Sequence, residues 1–336
     1  MPDGDPVEAA QELTPEALAH APLGSADNED ITRATAISDP TKSWAIYGEL
    51  HEGGEAQYYR FDIQNGQTIH VMLFKPTAQE DTDFTPNVVL MGPQLTPQGR
   101  LPDFVQVPQG AASFVVEGRQ VEKATYEPFS PGSLYYLGEV SLNAPTSGTY
   151  FIAVYEPNRG GHYGLAVGDR EEFTLSEWVL IPVNQLSIYQ WERQSLVFIL
   201  APLIAVVILG LALATLRRKS IVIGASLLHW TEIVAGLFFL GSGFSFLYQI
   251  LINLIQAPVS AEVVISIIFA LIPMVLGILG IRLVLRARKV RIRTRISLIV
   301  LGFAALFTWS GLIVGPVLAV LASALPGRSE ESVGKP

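Results

Sequence analysis

The 336-residue chain is 49% hydrophobic and only 16% charged, with a mean hydropathy of +0.36, too apolar for an ordinary soluble protein, so part of it is expected in lipid. Up to Gln194 it carries 27 acidic and 10 basic residues, a formal −17, and beyond it 4 acidic and 12 basic, or +8; the acidic half repels nucleic-acid phosphates, and no nucleic-acid partner is expected. Cysteine is absent, which excludes disulfide scaffolds, thiolate metal sites, iron–sulfur clusters and cysteine nucleophiles.

Residues 1–40, beginning MPDGDPVEAAQELTPEAL, are rich in Pro, Asp, Glu and Ala with little periodicity and read as a disordered acidic lead segment. They show neither a basic n-region nor an apolar h-region, so the natural start of the chain is expected to lie upstream of Met1. From Trp44 the pattern changes to apolar and polar residues in alternation, broken by turn signals, as in WAIYGEL, AQYYRFDI and TIHVMLF. Further strands are expected at Asn87–Met91, Ala112–Glu117, Tyr135–Leu142, Gly148–Tyr155 and Tyr163–Val167. Such a series without helical periodicity indicates an all-β antiparallel sandwich or jelly roll over residues 41–170, large enough to stand on its own apolar core. Within AQYYRFDI the alternation assigns Tyr59, Phe61 and Ile63 to the core face and Tyr58, Arg60 and Asp62 to the other. Gly66 and Gly148 stand where tight turns would need positive φ.

The run GELHEGGEAQYYRFDIQNGQTIHVML, then NVVLMGP, then APTSGTYFIAVYEPNRGGHYGLAVG resembles the bacterial pre-peptidase C-terminal domain, a small secreted β-sandwich. Tyr58, Tyr59 and Phe61 match its Tyr-Tyr-x-Phe strand, Gly66 and Gln67 its turn, Gly148–Tyr150 with Val154 a later strand, and Gly161, Tyr163 and Leu165 the closing one. The likeness covers about residues 44–168, departs over Gln94–Pro131, and replaces the family's acidic middle strand with Thr85-Pro86-Asn87. It implies an extracytoplasmic accessory or binding module.

Residues 171–194 read as a juxtamembrane linker, with Trp178, Tyr189 and Trp191 at an interfacial belt. Four apolar segments follow, 195–216, 231–255, 261–285 and 296–325, each long enough to span the ~30 Å hydrocarbon core, so a bundle of about four transmembrane helices is expected over 195–325, with a polar tail at 326–336. Two connections are basic, Arg217 to Lys219 and the run from Arg282 to Arg295, whereas Gln256–Glu262 holds no base. The positive-inside rule then places the basic turns in the cytoplasm of a plasma-membrane protein, with its N-terminal domain and C-terminus outside. The stretch Ser220–Trp230 is expected at the cytoplasmic interface, with His229 and Glu232 at head-group depth; the alternative buries them in the membrane, where ionisable groups are costly and mark proton or ion paths. Gln249 and Asn253 would extend that polar row. Pairs such as Gly311 and Gly315, Gly277 and Gly280, and Gly241 and Gly243 suit close helix packing.

Candidate chemistry is sparse. His51 with Glu49 and Glu52 could form a surface metal site, although close His-x-His or His-x-x-x-His spacing is missing and the histidines at 20, 51, 70 and 162 read as exposed strand ends. Glu80, Asp81 and Asp83 read as a solvated acidic loop, because EF-hand spacing is lacking. Tyr126, Phe129, Tyr135 and Tyr136, with Phe114, could present an aromatic binding surface or complete the core. No catalytic motif is present, and no cofactor is expected. The expected role is a membrane-anchored binding or assembly module for a protein, glycan or envelope partner; a small transporter or channel subunit and an extracellular metal-binding or sensor protein are the alternatives.

Overall fold

In a computed structural model, residues 21–24, 28–216, 226–287 and 290–326 are described. The lead segment to residue 20, most of the polar tail, Ser220–Ala225 and the cations Arg217–Lys219, Arg288 and Lys289 lie outside them. The chain forms two compact units, the first running to Glu127 and resuming over Ser133–Glu172, the second comprising Pro128–Gly132 and the chain from Phe173 onward.

The first unit is two β-sheets. The strands are β1 (Ala21–Leu23), β2 (Thr35–Ala36), β3 (Trp44–Leu50), β4 (Ala56–Ile63), β5 (Thr68–Pro76), β6 (Asn87–Gly92), β7 (Ala112–Val116), β8 (Thr125–Glu127), β9 (Gly132–Asn143), β10 (Gly148–Tyr155) and β11 (Gly161–Val167). One sheet runs β1-β3-β11-β5-β9-β8 and the other β2-β4-β10-β6-β7. The alternating segments pair antiparallel, as their pattern requires: β4 against β10 from Ile63↔Gly148 to Ala56↔Tyr155, and β11 against β3 and β5. The domain is nevertheless mixed rather than purely antiparallel, because β1 runs parallel to β3 and β2 parallel to β4. Both β1 and β2 come from the lead segment expected to be disordered over residues 1–40: Ala21–Leu23 and Thr35–Ala36 are ordered as short edge strands, one on each sheet.

Tyr59, Phe61 and Ile63 are buried, as the alternation requires, and the Phe61 ring lies 6.1 Å from that of Tyr150. Tyr58, assigned to the outer face, is also buried, in a second cluster with Val89, Met91, Val105, Val115 and Tyr155. Leu101, Phe104 and Ile31 pack against that cluster, so the stretch that departs from the family resemblance carries its cover. Gly66 adopts φ 80°, whereas Gly148 is not left-handed: it opens β10 against the Pro93 ring.

The second unit is helical: α1 (Leu175–Trp191), α2 (Leu196–Leu216), α3 (Leu227–Asn253), α4 (Val263–Arg286), α5 (Ile292–Phe307) and α6 (Val314–Ala324). The expected linker is largely α1, which starts from a capping box in which Thr174 accepts from the Glu177 N–H and Glu177 reaches back to the Thr174 N–H. Among the described residues three helices, α2, α3 and α4, are long and apolar enough to cross a membrane. At 1.5 Å per residue their 21, 27 and 24 residues reach about 31, 40 and 36 Å. Where α3 meets α4, Gly236 and Gly277 stand back to back, a Cβ on Gly236 falling 3.0 Å from the Gly277 carbonyl oxygen.

The fourth expected span, 296–325, is not one helix. Trp309, Gly311 and Leu312 have φ of 54°, 73° and 56°, and this left-handed link separates α5 from α6. Pro182 explains part of the break. Lacking an N–H, it leaves the Trp178 carbonyl in α1 without its helical donor, and the Trp309 indole N–H fills that place at 3.1 Å. The Trp178 indole donates in return to the Phe307 carbonyl at 3.0 Å, with the rings 4.7 Å apart.

The broken hairpin also decides where the chain leaves the bundle. Ser226, before α3, donates to the Pro326 carbonyl at 3.1 Å, and the Arg295 guanidinium, in the first turn of α5, donates to the Ser323 carbonyl. Gln194, before α2, pairs instead with Gln249 near the far end of α3. Within the helical unit the start of α2 and the end of α6 therefore lie at opposite ends of α3.

Candidate functional site

The polar residues of α3 divide into two groups. At the end near the start of α2, Gln249 and Gln194 exchange amide hydrogen bonds of 2.8 and 3.1 Å. Asn253 donates to the Pro131 carbonyl at 2.9 Å, Ser266 of α4 to the Pro128 carbonyl at 2.6 Å, and Gln185 of α1 to the Phe129 carbonyl at 3.0 Å. Pro128–Gly132 is thus held by three side chains from three helices of its own unit, and Gly132 itself leaves room for the Glu192 carboxylate. Prolines at 128 and 131 have no N–H to donate, and their buried carbonyls are satisfied by these side chains.

At the other end of α3, His229 and Glu232 are packed inside the bundle. They are 6% and 0% exposed, and neither the Glu232 carboxyl oxygens nor His229 Nδ1 has a hydrogen-bond partner among the described residues. Glu232 fits because Gly280 of α4 lacks a side chain; a Cβ there would collide with Oε1. The four residues expected to form one polar row are therefore two separate pairs.

A cavity lies between α1, α2, α3 and the α5–α6 link. It is a small cavity, partly open to the surroundings. Leu203, Phe246 and Trp309 supply apolar wall, and Ser242, Ser245 and Gln249 hydrogen-bonding groups. The left-handed Trp309 and Leu312 both line it, and Ser242 Oγ fixes their turn by accepting the Gly311 N–H at 2.8 Å. Sequence reasoning missed this cavity because α1 reads as a linker; Thr174 followed by Glu177 was the available signal for that helix. No protein-family model and no curated protein matches this chain.

In the β unit the suggested metal trio is not assembled. Glu49 turns to His162, Oε2 lying 3.5 Å from Nε2, and Glu52 offers its backbone N–H to Glu55 at 3.4 Å. His51 instead gathers with Glu29 and Glu55, whose ligand atoms lie within 4.8 Å of one another and could hold a divalent ion. Glu55 is already engaged, accepting from the His51 N–H at 2.5 Å and the Gln57 amide at 2.9 Å.

His162 is buried rather than an exposed strand end, its Nδ1 3.3 Å from Asp81. Asp81, expected in a solvated loop, is 1% exposed and accepts the His162 N–H at 3.1 Å. Beneath that loop Lys75 Nζ donates to the carbonyls of Asp81, Thr82 and Phe84 at 2.8, 3.0 and 2.6 Å. An ammonium with three carbonyl acceptors ties the loop to β5. Of the expected aromatic surface, Tyr126 is buried and Tyr135 and Tyr136 are half-buried, Tyr136 packing on Phe74; Phe129 belongs to the helical unit and packs on Phe269.

Proposed function

We propose that the protein is a membrane-anchored binding or assembly module. Its β-sandwich faces the extracytoplasmic side and meets a protein, glycan or envelope partner. The observation that carries this reading is the use of Gln249, Asn253 and Ser266 as internal ties, which leaves no continuous row of polar groups along α3. A translocation path needs such groups facing a cavity. The likeness of residues 44–168 to an accessory β-sandwich family supports the same role. Arg282, Arg286, Arg291, Arg293 and Arg295 stand near the α4–α5 connection, at the Ser226 end of the helices, and the positive-inside rule makes that end cytoplasmic. Affinity purification from solubilised membranes should recover a stoichiometric partner; repeated recovery of the protein alone would count against the proposal.

A second reading, a small transporter or channel subunit, is favoured by His229 and Glu232, ionisable groups buried within an apolar helix without partners among the described residues. It requires ion or proton flux in proteoliposomes that Glu232→Gln abolishes. Absence of flux in both proteins removes it.

A further inference from the structure

The cavity beside the α5–α6 link has features that a packing gap between helices does not need. Two non-glycine residues on its wall, Trp309 and Leu312, hold φ of 54° and 56°. Such residues cost about 1–3 kcal/mol each and persist where surrounding structure over-determines them, which happens most often around ligands and active sites. Here the reciprocal bonds of Trp178 and Trp309 and the Ser242 hydroxyl do the fixing. Ser245 Oγ on the same wall is buried without a hydrogen-bond partner among the described residues, a vacancy that a ligand oxygen would satisfy. Serines in helices ordinarily donate to their own helix backbone, as Ser242 does to the Phe239 carbonyl at 2.9 Å.

The lining also identifies the ligand's chemistry. Among the described residues no Asp, Glu, Lys, Arg or His lines the cavity, so they offer nothing to neutralise a charged head group. Its apolar wall suits hydrocarbon. Ile199 and Leu203 lie in the first turns of α2 and Gln249 near the end of α3, which places the cavity at one end of the spanning helices rather than at their middle. Nearby side chains on the outward face of α2, such as Val197 and Ile204, are exposed and apolar, so the surrounding lipid is the source at hand.

We propose that this cavity is a binding site for an uncharged membrane amphiphile, a hydrocarbon chain bearing a hydroxyl or carbonyl oxygen that Ser245 engages. It is independent of the assembly role proposed above.

The test uses the full chain in nanodiscs and a long-chain alcohol carrying a photoactivatable diazirine, with adducts mapped by mass spectrometry. Adducts should concentrate on 199–203 and 242–249, and unlabelled long-chain alcohol should compete them away saturably. Leu203→Trp, which fills the space, should lower them about tenfold while labelling of Val197 and Ile204 is unchanged. Ser245→Ala should remove the preference for the alcohol over an alkane probe, and a carboxylate analogue should label less. Adducts spread evenly over the outward face of α2, unsaturable in the wild-type protein, would overturn the proposal. So would equal labelling by the carboxylate analogue. The competition on wild-type protein decides the matter even if Leu203→Trp does not fold.

Discussion

Removing the side chains that hold Pro128–Gly132 should loosen that segment without touching the rest of the bundle. The double variant Asn253→Leu, Ser266→Ala takes away the donors to the Pro131 and Pro128 carbonyls, both buried bonds, of 2.9 and 2.6 Å. A buried carbonyl left unsatisfied costs about 1–3 kcal/mol. Side-chain hydrogen bonds between membrane helices average nearer ~0.6 kcal/mol, because the opened state finds other partners. Two bonds therefore bracket the effect between about 1 and 6 kcal/mol, and the central expectation is about 2–3 kcal/mol. When opening is fast relative to cleavage, proteolysis follows the population of the open form, so chymotrypsin should cut after Phe129 roughly 30- to 150-fold faster. The bonded carbonyls are three residues apart, so the single variants should not add. An acceleration below about threefold would refute the view that these polar residues are ties.

Other consequences concern particular contacts. Tyr163 donates to Gln57 Oε1 at 2.6 Å and lies 2.5 Å from the Tyr59 hydroxyl; Tyr163→Phe should lower stability by about 1–3 kcal/mol, and an unchanged melting temperature would contradict this. Burial, with Tyr59 beside it, also pushes the Tyr163 hydroxyl well above its usual 10. A raised folded value gives stability that is complete below pH 10 and lost as pH rises toward that value, so tyrosinate absorbance should lag until the β unit unfolds. Burial tends to raise the Asp39 carboxyl, but bonds from the Thr41 hydroxyl and N–H, with the Arg170 guanidinium, hold it below its usual 3.8. Its contribution is present above that pH and lost as pH falls through the lowered value; Asp39→Asn should be less stable than wild type at pH 6 and converge with it in acid, and a constant difference would contradict the assignment. In the bundle, Gly277→Ala should cost about 1–3 kcal/mol by driving a Cβ into the Gly236 carbonyl, read as a lower melting temperature in micelles; an unaltered one would mean that α3 and α4 do not pack this closely.

The β-domain was legible where side-chain alternation is long. WAIYGEL and AQYYRFDI became β3 and β4 at the residues expected, because a half-buried strand writes its two faces into the sequence. Strands β1 and β2 were not legible, since three and two residues carry no period and their parallel partners lie elsewhere in the chain. Tyr58 misled for a related reason: alternation separates two faces but does not say that a distant loop covers the second. In the bundle, hydropathy found α2, α3 and α4, yet an apolar run reads the same whether straight or broken. The reversal at Trp309 is tied to a carbonyl that Pro182 leaves free more than a hundred residues earlier, and Trp309 and Leu312 of that link line the cavity.

The proposed sidedness puts Gln194 and Pro326 on opposite sides of the membrane. Because the sequence has no cysteine, single substitutions Gln194→Cys and Pro326→Cys can be probed with a membrane-impermeant maleimide against a clean background. In intact cells Gln194→Cys should react at once and Pro326→Cys only after permeabilisation, since α6 brings the chain back to the Ser226 end of the bundle. Reaction of both positions from the same side would contradict it and restore a single continuous helix over 296–325.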